Sequence, residues 1–351
     1  MNEKPLIYGY DLSEISNILQ DWGEPAYRAS QVWKGLYRHL NGSWENFTTL
    51  PLDLRHRLSE NFAITSLQPE ATLSSADGQT TKTLFRLPDD RPIEAVLMRY
   101  RKRRTLCIST QAGCAMGCIF CATGQMGFLR HLSSGEIVEQ AIHYARQLAE
   151  EGERVTNIVL MGMGEPFHNY EATMSAIDRL NHPEGFNLGV RRFTVSTVGL
   201  VPMIERFANE GSQVNLAVSL HTVDDSLRSS MIPINRKYPV SELLDACRGY
   251  VQKTNRRITF EWALIRDVND APEQARQLAE QLKDLLCHVN VIPLNPTKGY
   301  EGEATTRARA EAFQVELERH GIPCTIRVRR GIDIQAGCGQ LAVKGSYDRS
   351  D

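Results

Sequence analysis

The sequence has no uncharged apolar run long enough to span a membrane. Its first residues, MNEKPLIYGYDL, lack the long apolar core of a secretory signal peptide. These two absences predict a cytoplasmic protein without a membrane partner. The sequence also has no low-complexity segment and no repeat with a period of about 20–50 residues, so a repeat architecture is not expected.

Cysteine is scarce, and eight residues in 351 are too few for a disulfide scaffold. In a reducing compartment, a cluster of cysteines indicates metal binding or catalysis instead. A strong net charge is absent as well. The formal charge of −2 at pH 7 gives no overall sign of a polyanionic partner, so any basic surface must be local.

The remaining composition, 42% hydrophobic and 23% charged, is that of an ordinary globular protein. A length of 351 residues suits one large α/β domain with appendages. We predict a helical accessory domain over residues 1–68, a β-rich connector over residues 69–104 and a barrel over residues 105–351.

The first two regions carry clear local signals. Asp11 is a predicted helix cap, and apolar residues recur at helical spacing. These residues are Ile15, Ile18, Leu19, Val32, Trp33, Leu36, Tyr37, Leu54, Leu58 and Phe62. In the connector, the predicted strands EATLSS and TTKTLFRL flank the turn signal Ala76-Asp77-Gly78, and PIEAVLMRY follows as a third strand.

From about residue 105, predicted strands alternate with predicted helices. The strands are TLCIST, VTNIVLMGMGEP, RFTVSTVGLVP, QVNLAVSLHT, RRITFEWALI and CHVNVIPLNP. The first long helix begins at Ser133, where Glu136 completes a capping box. Six βα units predict a parallel sheet that curls into a barrel or part of one, with ligands at the carboxyl ends of the strands.

Three cysteines follow the first of these strands in the spacing Cys114-x3-Cys118-x2-Cys121. A structural zinc site or an electron-transfer cluster needs four ligands, and no second cysteine pair is present. Three buried cysteines that serve only packing are a further alternative, but packing does not select this spacing. Three thiolates suit a [4Fe–4S] cluster whose fourth iron stays open to a substrate.

This loop resembles that of the radical S-adenosylmethionine (SAM) enzymes, in which the open iron binds the amino and carboxylate groups of SAM. The resemblance implies a partial (β/α)6 radical SAM barrel, and one-electron cleavage of SAM to a 5′-deoxyadenosyl radical. Phe120 matches an aromatic residue that the family often has in this loop.

The resemblance also implies a SAM site at the strand ends. Gly164 and Glu165 match the family's Gly-Glu pair, which faces the methionine amino group. The other predicted contacts are Ser196, Ser219, Leu220, His221 and Asn295. Each of these has a plainer interpretation, because serine at a strand end is usually a turn residue and a lone histidine is usually a partly buried structural residue.

Two further cysteines narrow the resemblance. Cys107 lies in TLCIST, and Cys338 lies in the terminal motif QAGCGQLA. Together with GCAMGCIFCATG, MGMGEP and SLH, these motifs resemble the RlmN/Cfr family, radical enzymes that methylate a ring carbon of adenine in RNA. The resemblance covers nearly the whole chain.

The family's chemistry gives both outlying cysteines a role. C2 of adenine is electron-poor, so it cannot attack the methyl group of SAM. The resemblance implies that Cys338 takes a methyl group from one SAM, and that a second SAM, cleaved at the cluster, activates this methyl group as a radical. The radical adds to C2 and links protein to RNA. Cys107 then attacks the Cys338 sulfur, which releases the base and leaves a disulfide to be reduced.

Other groups complete the predicted site. Glu94 matches the family's candidate base for the C2 proton, although a surface glutamate on a strand is an equally simple interpretation. Basic residues precede both thiols, and we interpret them as phosphate contacts and as support for the thiolates rather than as a solvated charge run. They are Arg99, Arg101, Lys102, Arg103, Arg104, Arg327, Arg329 and Arg330. The glycines beside Cys338 predict a flexible loop.

The partners that the family implies are 23S rRNA, tRNA in one branch, and an electron donor such as flavodoxin. The target adenine must leave its stack to reach a barrel. Trp33, Tyr37 and Arg38 lie in the region that resembles the family's RNA-gripping domain, although the aromatic pattern itself indicates core.

Three alternatives stay open at this point. Methylation could fall on C8 rather than C2 of the same adenine, since both branches of the family share these motifs. A radical SAM enzyme that acts on a protein would explain the cluster but not Cys107 and Cys338. An iron–sulfur or zinc protein that only binds RNA is the non-enzymatic alternative. Cys247, Cys287 and Cys324 match no motif and are predicted to be small buried apolar residues.

Overall fold

Three short α-helices precede the main sheet in the computed structural model, which describes residues 4–342. They are α1 (Leu12–Asp21), α2 (Tyr27–Tyr37) and α3 (Leu52–Asn61). Asp11 caps α1 in a capping box with Glu14, as the sequence predicts. Trp33 and Tyr37 are each 1% exposed, which confirms that they belong to the core.

Ten strands form one sheet, in the order β1-β2-β3-β4-β7-β8-β9-β10-β11-β12. The strands are β1 (Gln68–Ser74), β2 (Thr80–Arg86), β3 (Pro92–Tyr100), β4 (Arg103–Cys107), β7 (Asn157–Leu160), β8 (Phe193–Thr197), β9 (Asn215–Ser219), β10 (Ile258–Leu264), β11 (Cys287–Pro293) and β12 (Cys324–Ile326). A separate hairpin pairs β5 (Gln111–Gly113) with β6 (Phe128–His131).

Helices connect the parallel strands. The α-helices of this part are α4 (Ala122–Gln125), α5 (Ser134–Glu150), α6 (Tyr170–Asn181), α7 (Val201–Asn209), α8 (Asp225–Met231), α9 (Val240–Thr254), α10 (Pro272–Gln281) and α11 (Arg307–Arg319). Short 3-10 helices span Ile7–Gly9, Trp44–Asn46, Pro166–Asn169, Val190–Arg192 and Pro233–Arg236. Within residues 4–342, no helix is both long and apolar enough to cross a membrane.

The direction of the strands changes at β4. Strands β1 to β4 are antiparallel, whereas β4 and the strands from β7 to β12 run parallel. Six βα units therefore build the parallel part, and the predicted α/β partial barrel with a helical appendage is confirmed. Because β4 begins at Arg103, it crosses the predicted boundary between residues 104 and 105, and the connector strands extend the barrel sheet.

Helix α5 joins the appendage to the barrel. Its N-cap Ser133 forms the predicted capping box with Glu136. The buried carboxylate of Glu139 accepts hydrogen bonds from the backbone N–H groups of Ser66 and Leu67, at the end of the helical region. These contacts fix the small domain against the face of α5, next to the strands that carry the site.

Candidate active site

The three clustered cysteines lie in the loop that joins β5 to α4. Gly113 ends β5 with a φ of +72°, and a Cβ added there would lie 2.0 Å from the carbonyl oxygen of Gly127. Glycine is therefore required at this position. The N–H of Cys114 donates to the same carbonyl at 2.9 Å. Cys118 is buried, and Cys121 is the N-cap of α4.

The thiols of this loop interact electrostatically. Burial raises the pKa of Cys114 to about 12. Burial, followed by the nearby Cys121 and Cys114 thiols, raises the pKa of Cys118 well above its usual range, while the positive charge of Arg228 lowers it. The three sulfurs are thus neighbours in a desolvated loop. Metal binding ionises thiols of this kind.

The arrangement fits a cluster better than a single metal ion. In the described part of the chain, no three His, Cys, Asp or Glu side chains converge on a point where one ion would bind. A zinc ion needs its ligands roughly 2.0–2.3 Å from one centre. Thiolates that each bind a different iron of a [4Fe–4S] cluster do not share one such centre, so three neighbouring cysteines match this donor set.

A recess beside this loop lies at the carboxyl ends of the parallel strands. It is lined by Cys118, Phe120, Cys121, Gly164, Glu165, Ser196, Ser219, His221, Asn295 and Cys338. The structure thus gathers almost all the predicted SAM contacts around the cysteine loop, although they come from four different strand ends. Leu220 is the exception, because its side chain is 0% exposed and belongs to the core.

Glu165 is held by backbone groups at the bottom of this recess. Its carboxylate accepts hydrogen bonds from the N–H of Val198 at 2.9 Å and of Phe167 at 3.0 Å. It is 2% exposed, and burial raises its pKa to about 7. A cationic ammonium group entering the recess would favour the ionised carboxylate.

Gln111 orders the turn that carries Glu165, a role that sequence reasoning missed because no local motif marks it. Its side-chain oxygen accepts the N–H of Glu165 at 2.9 Å. Its amide nitrogen lies 3.1 Å from Nδ1 of both His131 and His168. Gly164 has a φ of +102°, and a Cβ added there would lie 2.6 Å from the Cβ of Gln111.

His221 is a neutral side chain at the rim of the recess. It has a φ of +62°, and its Nδ1 accepts the N–H of Ala263 at 2.8 Å. Burial and then the charge of Arg228 lower its pKa to about 3. The ring of Phe120 packs edge-on against it, with 5.0 Å between centroids. His221 is therefore a structured ring with its other nitrogen protonated, as its hydrogen bond requires.

Arg228 is a second residue that sequence reasoning missed. It lies in α8 and is 0% exposed, and its guanidinium donates to the carbonyl oxygens of Val198, Ser219 and Leu220 and to the side chain of Asn235. These bonds tie together the ends of β8 and β9. No short-range motif marks it, because all but one of its partners are backbone carbonyls.

The segment that carries Cys338 closes over the recess. The amide of Asn295 donates to the carbonyl of Cys338 at 3.0 Å, while its buried Oδ1 has no hydrogen-bond partner within the described residues. The N–H of Ala122 donates to Gly339 and the hydroxyl of Thr123 to Leu341. The predicted flexible loop is thus held by hydrogen bonds in this structure.

The thiols of Cys107 and Cys338 are both affected by the positive charge of Arg327. Cys338 is exposed towards the recess, but surrounding protein desolvates it and raises its pKa to about 11. Burial, and then Cys338, raises the pKa of Cys107 to about 12. Arg327 lowers both values. Its guanidinium lies 3.5 Å from the buried carboxylate of Glu261.

The upstream basic residues have other partners. Arg99 pairs with Glu151 at 2.7 Å, and Arg104 pairs with Glu153. Support for the two thiols therefore comes from Arg327 rather than from these residues. Arg103 and Arg330 both lie over the ring of Tyr100, at 5.0 and 4.5 Å from its centroid.

Glu94 is 0% exposed, so its interpretation as a surface glutamate is wrong. It lies on β3, two residues from Val96, whose partner across the strand pair is Cys107. Residues two apart on a strand share a face, so Glu94 and Cys107 lie on the same side of the sheet. One oxygen of Glu94 lies 3.0 Å from the ammonium of Lys82, and the other accepts the N–H of Ala342 at 3.0 Å.

A second cavity, of about 1160 Å³, opens at the amino ends of the parallel strands. Strand-start residues that line it include Thr105, Asn157, Thr194, Asn215, Thr259, His288 and Thr325. Arginines surround these polar groups, namely Arg103, Arg191, Arg256, Arg257, Arg327 and Arg330. The local basic surface that the near-neutral net charge required is therefore present in the barrel.

The chain is similar to known proteins over nearly its full length. Residues 108–280 match the radical SAM superfamily, and residues 7–64 match the ribosomal RNA large subunit methyltransferase N-terminal domain. The probable dual-specificity RNA methyltransferase RlmN of Chloroflexus aurantiacus is 51% identical over 98% of this chain and 94% of its own length. The dual-specificity RNA methyltransferase RlmN 1 of Myxococcus xanthus is 49% identical over 95% and 93%.

A solved structure shows the same fold. The crystal structure of a radical SAM methyltransferase from Sphaerobacter thermophilus is 50% identical in sequence and superposes with a TM-score of 0.94. The match covers 96% of this chain and 99% of that one. The similarity therefore includes the helical appendage, the connector strands and the barrel.

Proposed function

The chain belongs to the RlmN family of radical SAM RNA methyltransferases, and on that premise we propose that it methylates C2 of adenine. It is an enzyme whose cofactors are a [4Fe–4S] cluster and SAM, with two SAM molecules used per turnover. The proposed targets are the adenine of the peptidyl transferase centre in 23S rRNA and the adenine 3′ of the anticodon in tRNA.

The observation that carries this proposal is the pair of outlying thiols beside the recess. A radical enzyme that acts on a protein needs the cluster loop but has no use for two further cysteines. Here Cys338 lines the recess of the predicted SAM contacts, and Cys107 is the last residue of β4. The positive charge of Arg327 lowers the pKa of both thiols. This arrangement supports a sulfur that carries a methyl group and a second sulfur that removes it.

The cofactor residues divide into two sets. Cys114, Cys118 and Cys121 would hold the cluster, which supplies the electron for the cleavage of SAM. The carboxylate of Glu165 would bind the ammonium group of SAM. The buried Oδ1 of Asn295 would be a second hydrogen-bond acceptor for the same ammonium group. His221 and Phe120 would form the apolar wall against which SAM is oriented.

The thiols would act in sequence. The Cys338 thiolate attacks the methyl carbon of one SAM, and S-adenosylhomocysteine leaves as the S–CH3 bond of SAM breaks. After the methylene carbon has bonded to C2, the adduct must lose one electron, which the oxidised cluster would accept, and Glu94 takes the ring proton so that the ring is aromatic again. The Cys107 thiolate then attacks the Cys338 sulfur, so that an S–S bond forms while the S–C bond breaks. The methylene carbon keeps the electron pair of that bond and takes a proton to become the methyl group of the released base. An external donor such as flavodoxin would supply electrons.

The basic cavity supports RNA as the substrate. Arginines at the strand starts offer contacts to phosphates, and stacking of Arg330 and Arg103 on Tyr100 preorganises two of them. The cavity is large enough for an unstacked nucleotide, and a base that has left its stack is what a barrel enzyme requires. The exposed Arg38 of the appendage would add a further phosphate contact.

The test is anaerobic turnover of the reconstituted chain with SAM, a reductant and transcripts of 23S rRNA and tRNA, followed by mass spectrometry of the nucleosides. We expect 2-methyladenosine in both RNAs. Finding 8-methyladenosine would instead support the alternative regiochemistry. Cys107→Ala should trap a covalent protein–RNA adduct, because release fails while addition proceeds.

The matched control is Cys324→Ala, which removes a thiol from β12 that lines neither site. This variant should turn over without accumulating an adduct. Normal turnover by Cys107→Ala, with no adduct, would show that Cys107 does not resolve the intermediate.

A further inference from the structure

A buried ion pair lies against the segment that carries Cys338. Lys82 of β2 and Glu94 of β3 are 1% and 0% exposed, and Nζ lies 3.0 Å from Oε1. Taking two charges out of water has a large desolvation cost, so a pair at this depth is retained only where its further hydrogen bonds are made. Two of those bonds involve the segment of residues 335–342.

The pair contacts this segment on both sides of Cys338. Three residues before it, the carbonyl of Gln335 accepts from Nζ of Lys82 at 3.3 Å. Four residues after it, the N–H of Ala342 donates to Oε2 of Glu94 at 3.0 Å. In the first contact the lysine ammonium is the donor and a backbone carbonyl the acceptor. In the second a backbone N–H is the donor and the glutamate carboxylate the acceptor. Both depend on the charged form of the pair.

The remaining contacts of the segment do not depend on charge. Asn295, Ala122 and Thr123 each donate to one of its carbonyl oxygens, at 3.0, 2.7 and 2.5 Å. These groups are neutral and do not change protonation state during a reaction. Hydrogen bonds to charged groups are also stronger than those between neutral groups. The ion pair is therefore the switchable part of the anchor.

We propose that the Lys82–Glu94 pair is a latch for the Cys338 segment, and that the proton taken from the base keeps it open. The proposal rests on the proposed function, in which Glu94 is the proton acceptor. Lys82 is a positioning residue in this scheme, because it acts through Glu94 and through the backbone of the segment.

The segment cannot be docked on Glu94 while Glu94 takes the ring proton. In this structure, one oxygen of Glu94 faces Lys82 and the other faces the Ala342 N–H, so the docked segment covers the carboxylate. When Glu94 takes the ring proton, the C–H electron pair stays in the ring and the carboxylate becomes a neutral acid. A neutral acid binds both Lys82 and the N–H of Ala342 more weakly. The segment then stays undocked while Cys107 attacks the Cys338 sulfur.

The latch can be tested in the full chain with its cluster, without SAM or RNA. Hydrogen exchange of residues 335–342 reports how often the segment opens. The rate at which diamide, a thiol oxidant, forms the Cys107–Cys338 disulfide reports how often this opening exposes the two desolvated thiols to the oxidant. We expect Lys82→Met and Glu94→Gln to raise both rates about tenfold, the effect of losing one charged hydrogen bond.

Two further variants keep the result interpretable. Lys283→Met removes an exposed lysine from the turn after α10 and should leave both rates unchanged. The double variant Lys82→Met with Glu94→Leu replaces the pair by apolar groups, which restores folding without restoring the contacts to residues 335 and 342. A latch predicts fast exchange in the double variant, whereas a purely structural pair predicts the parent rates.

The outcomes separate the latch from the methylation chemistry. Unchanged exchange and disulfide rates in folded Lys82→Met and Glu94→Gln would overturn the latch, whatever RNA product the parent makes. Raised rates together with an absence of methylated RNA would overturn the proposed function, while the anchoring of the segment would stand. Neither readout uses RNA or SAM, so a failure of one proposal cannot be mistaken for a failure of the other.

Discussion

At the scale of single residues, burial decides which side chains of the recess carry charge. His221 is neutral at physiological pH, because burial lowers its pKa to about 3. Glu165 is about half ionised near pH 7, because burial raises its pKa to about 7 while hydrogen bonds from backbone N–H groups oppose that rise. The recess therefore offers a cationic ligand the Glu165 carboxylate, whose ionisation depends on pH, whereas Glu261, which also lines the recess, lies 3.5 Å from Arg327.

The first prediction concerns this carboxylate and the binding of SAM. Only ionised Glu165 pairs with the ammonium of SAM, and its ionised fraction rises about tenfold between pH 6 and pH 8 for a pKa near 7. The Kd of SAM for the cluster-loaded enzyme should therefore fall by up to about tenfold over this range, as measured by equilibrium binding. Glu165→Gln should bind SAM weakly and with no dependence on pH. A parent Kd that is constant over the same range would contradict this role.

A second prediction concerns Arg327 and the reactivity of the thiols. Its positive charge lowers the pKa values of Cys107 and Cys338. Arg327→Met should therefore slow the alkylation of Cys338 by iodoacetamide at pH 8, by about tenfold for each unit by which the pKa rises. Arg327→Lys keeps the charge and serves as the control. Equal alkylation rates in the parent and the methionine variant would show that the arginine does not support the thiolate.

Residue-scale prediction from the sequence succeeds where spacing encodes function. The spacing of Cys114, Cys118 and Cys121 predicts their common loop, because neighbours in sequence are neighbours in space. Gln111 and Arg228 could not be found in this way. Their roles consist of hydrogen bonds to turns more than 30 residues away or to carbonyl groups, and no local pattern records such partners.

At the scale of secondary structure, the predictable elements are those with local signals. The capping boxes at Asp11 and Ser133 and the hairpin at residues 76–78 lie where the sequence indicates. The contacts of residues 335–342 were not predictable, because the glycines beside Cys338 indicate only that the loop can be flexible. Its partners lie on β2 and β3, just after β11 and at the start of α4, so only the tertiary fold determines its position.

The third prediction compares two glycines of the β5–β6 hairpin. Both have positive φ, +72° at Gly113 and +76° at Gly127, so alanine is strained at either position. Only at Gly113 does the added Cβ meet a backbone oxygen, at 2.0 Å; at Gly127 nothing lies within 4 Å. Gly113→Ala should therefore lose most of its iron, because Cys114 follows directly. The measurement is iron content after anaerobic reconstitution.

Gly127→Ala is the matched control for this experiment. It should keep close to the parent iron content while losing about 1 kcal/mol of unfolding free energy to backbone strain. Equal iron content in both variants would show that the cysteine loop tolerates a displaced β5.

At the scale of the whole molecule, the barrel has two openings with different chemistry. The carboxyl ends of the strands carry cysteines, Glu165 and small polar groups, whereas the amino ends carry arginines around a wide cavity. Arg327 lines the wide cavity and also acts on both thiols. Glu261 lines both openings, and Arg327 lies 3.5 Å from its carboxylate, so the reactive thiols lie near the boundary between the two cavities. In the proposed reaction, RNA would enter from one opening and SAM from the other.

The last prediction follows from this division. If phosphates occupy the amino-end cavity, Arg191→Ala and Arg257→Ala should each weaken RNA binding and reduce the slope of log K against log salt by about 1. The Kd of SAM should not change, because neither arginine lines the recess. Arg276→Ala removes an exposed arginine that pairs with Glu273 on α10 and is the control for nonspecific charge loss. Identical salt slopes in all three variants would place the RNA elsewhere on the surface, since each true phosphate contact must release its counterion.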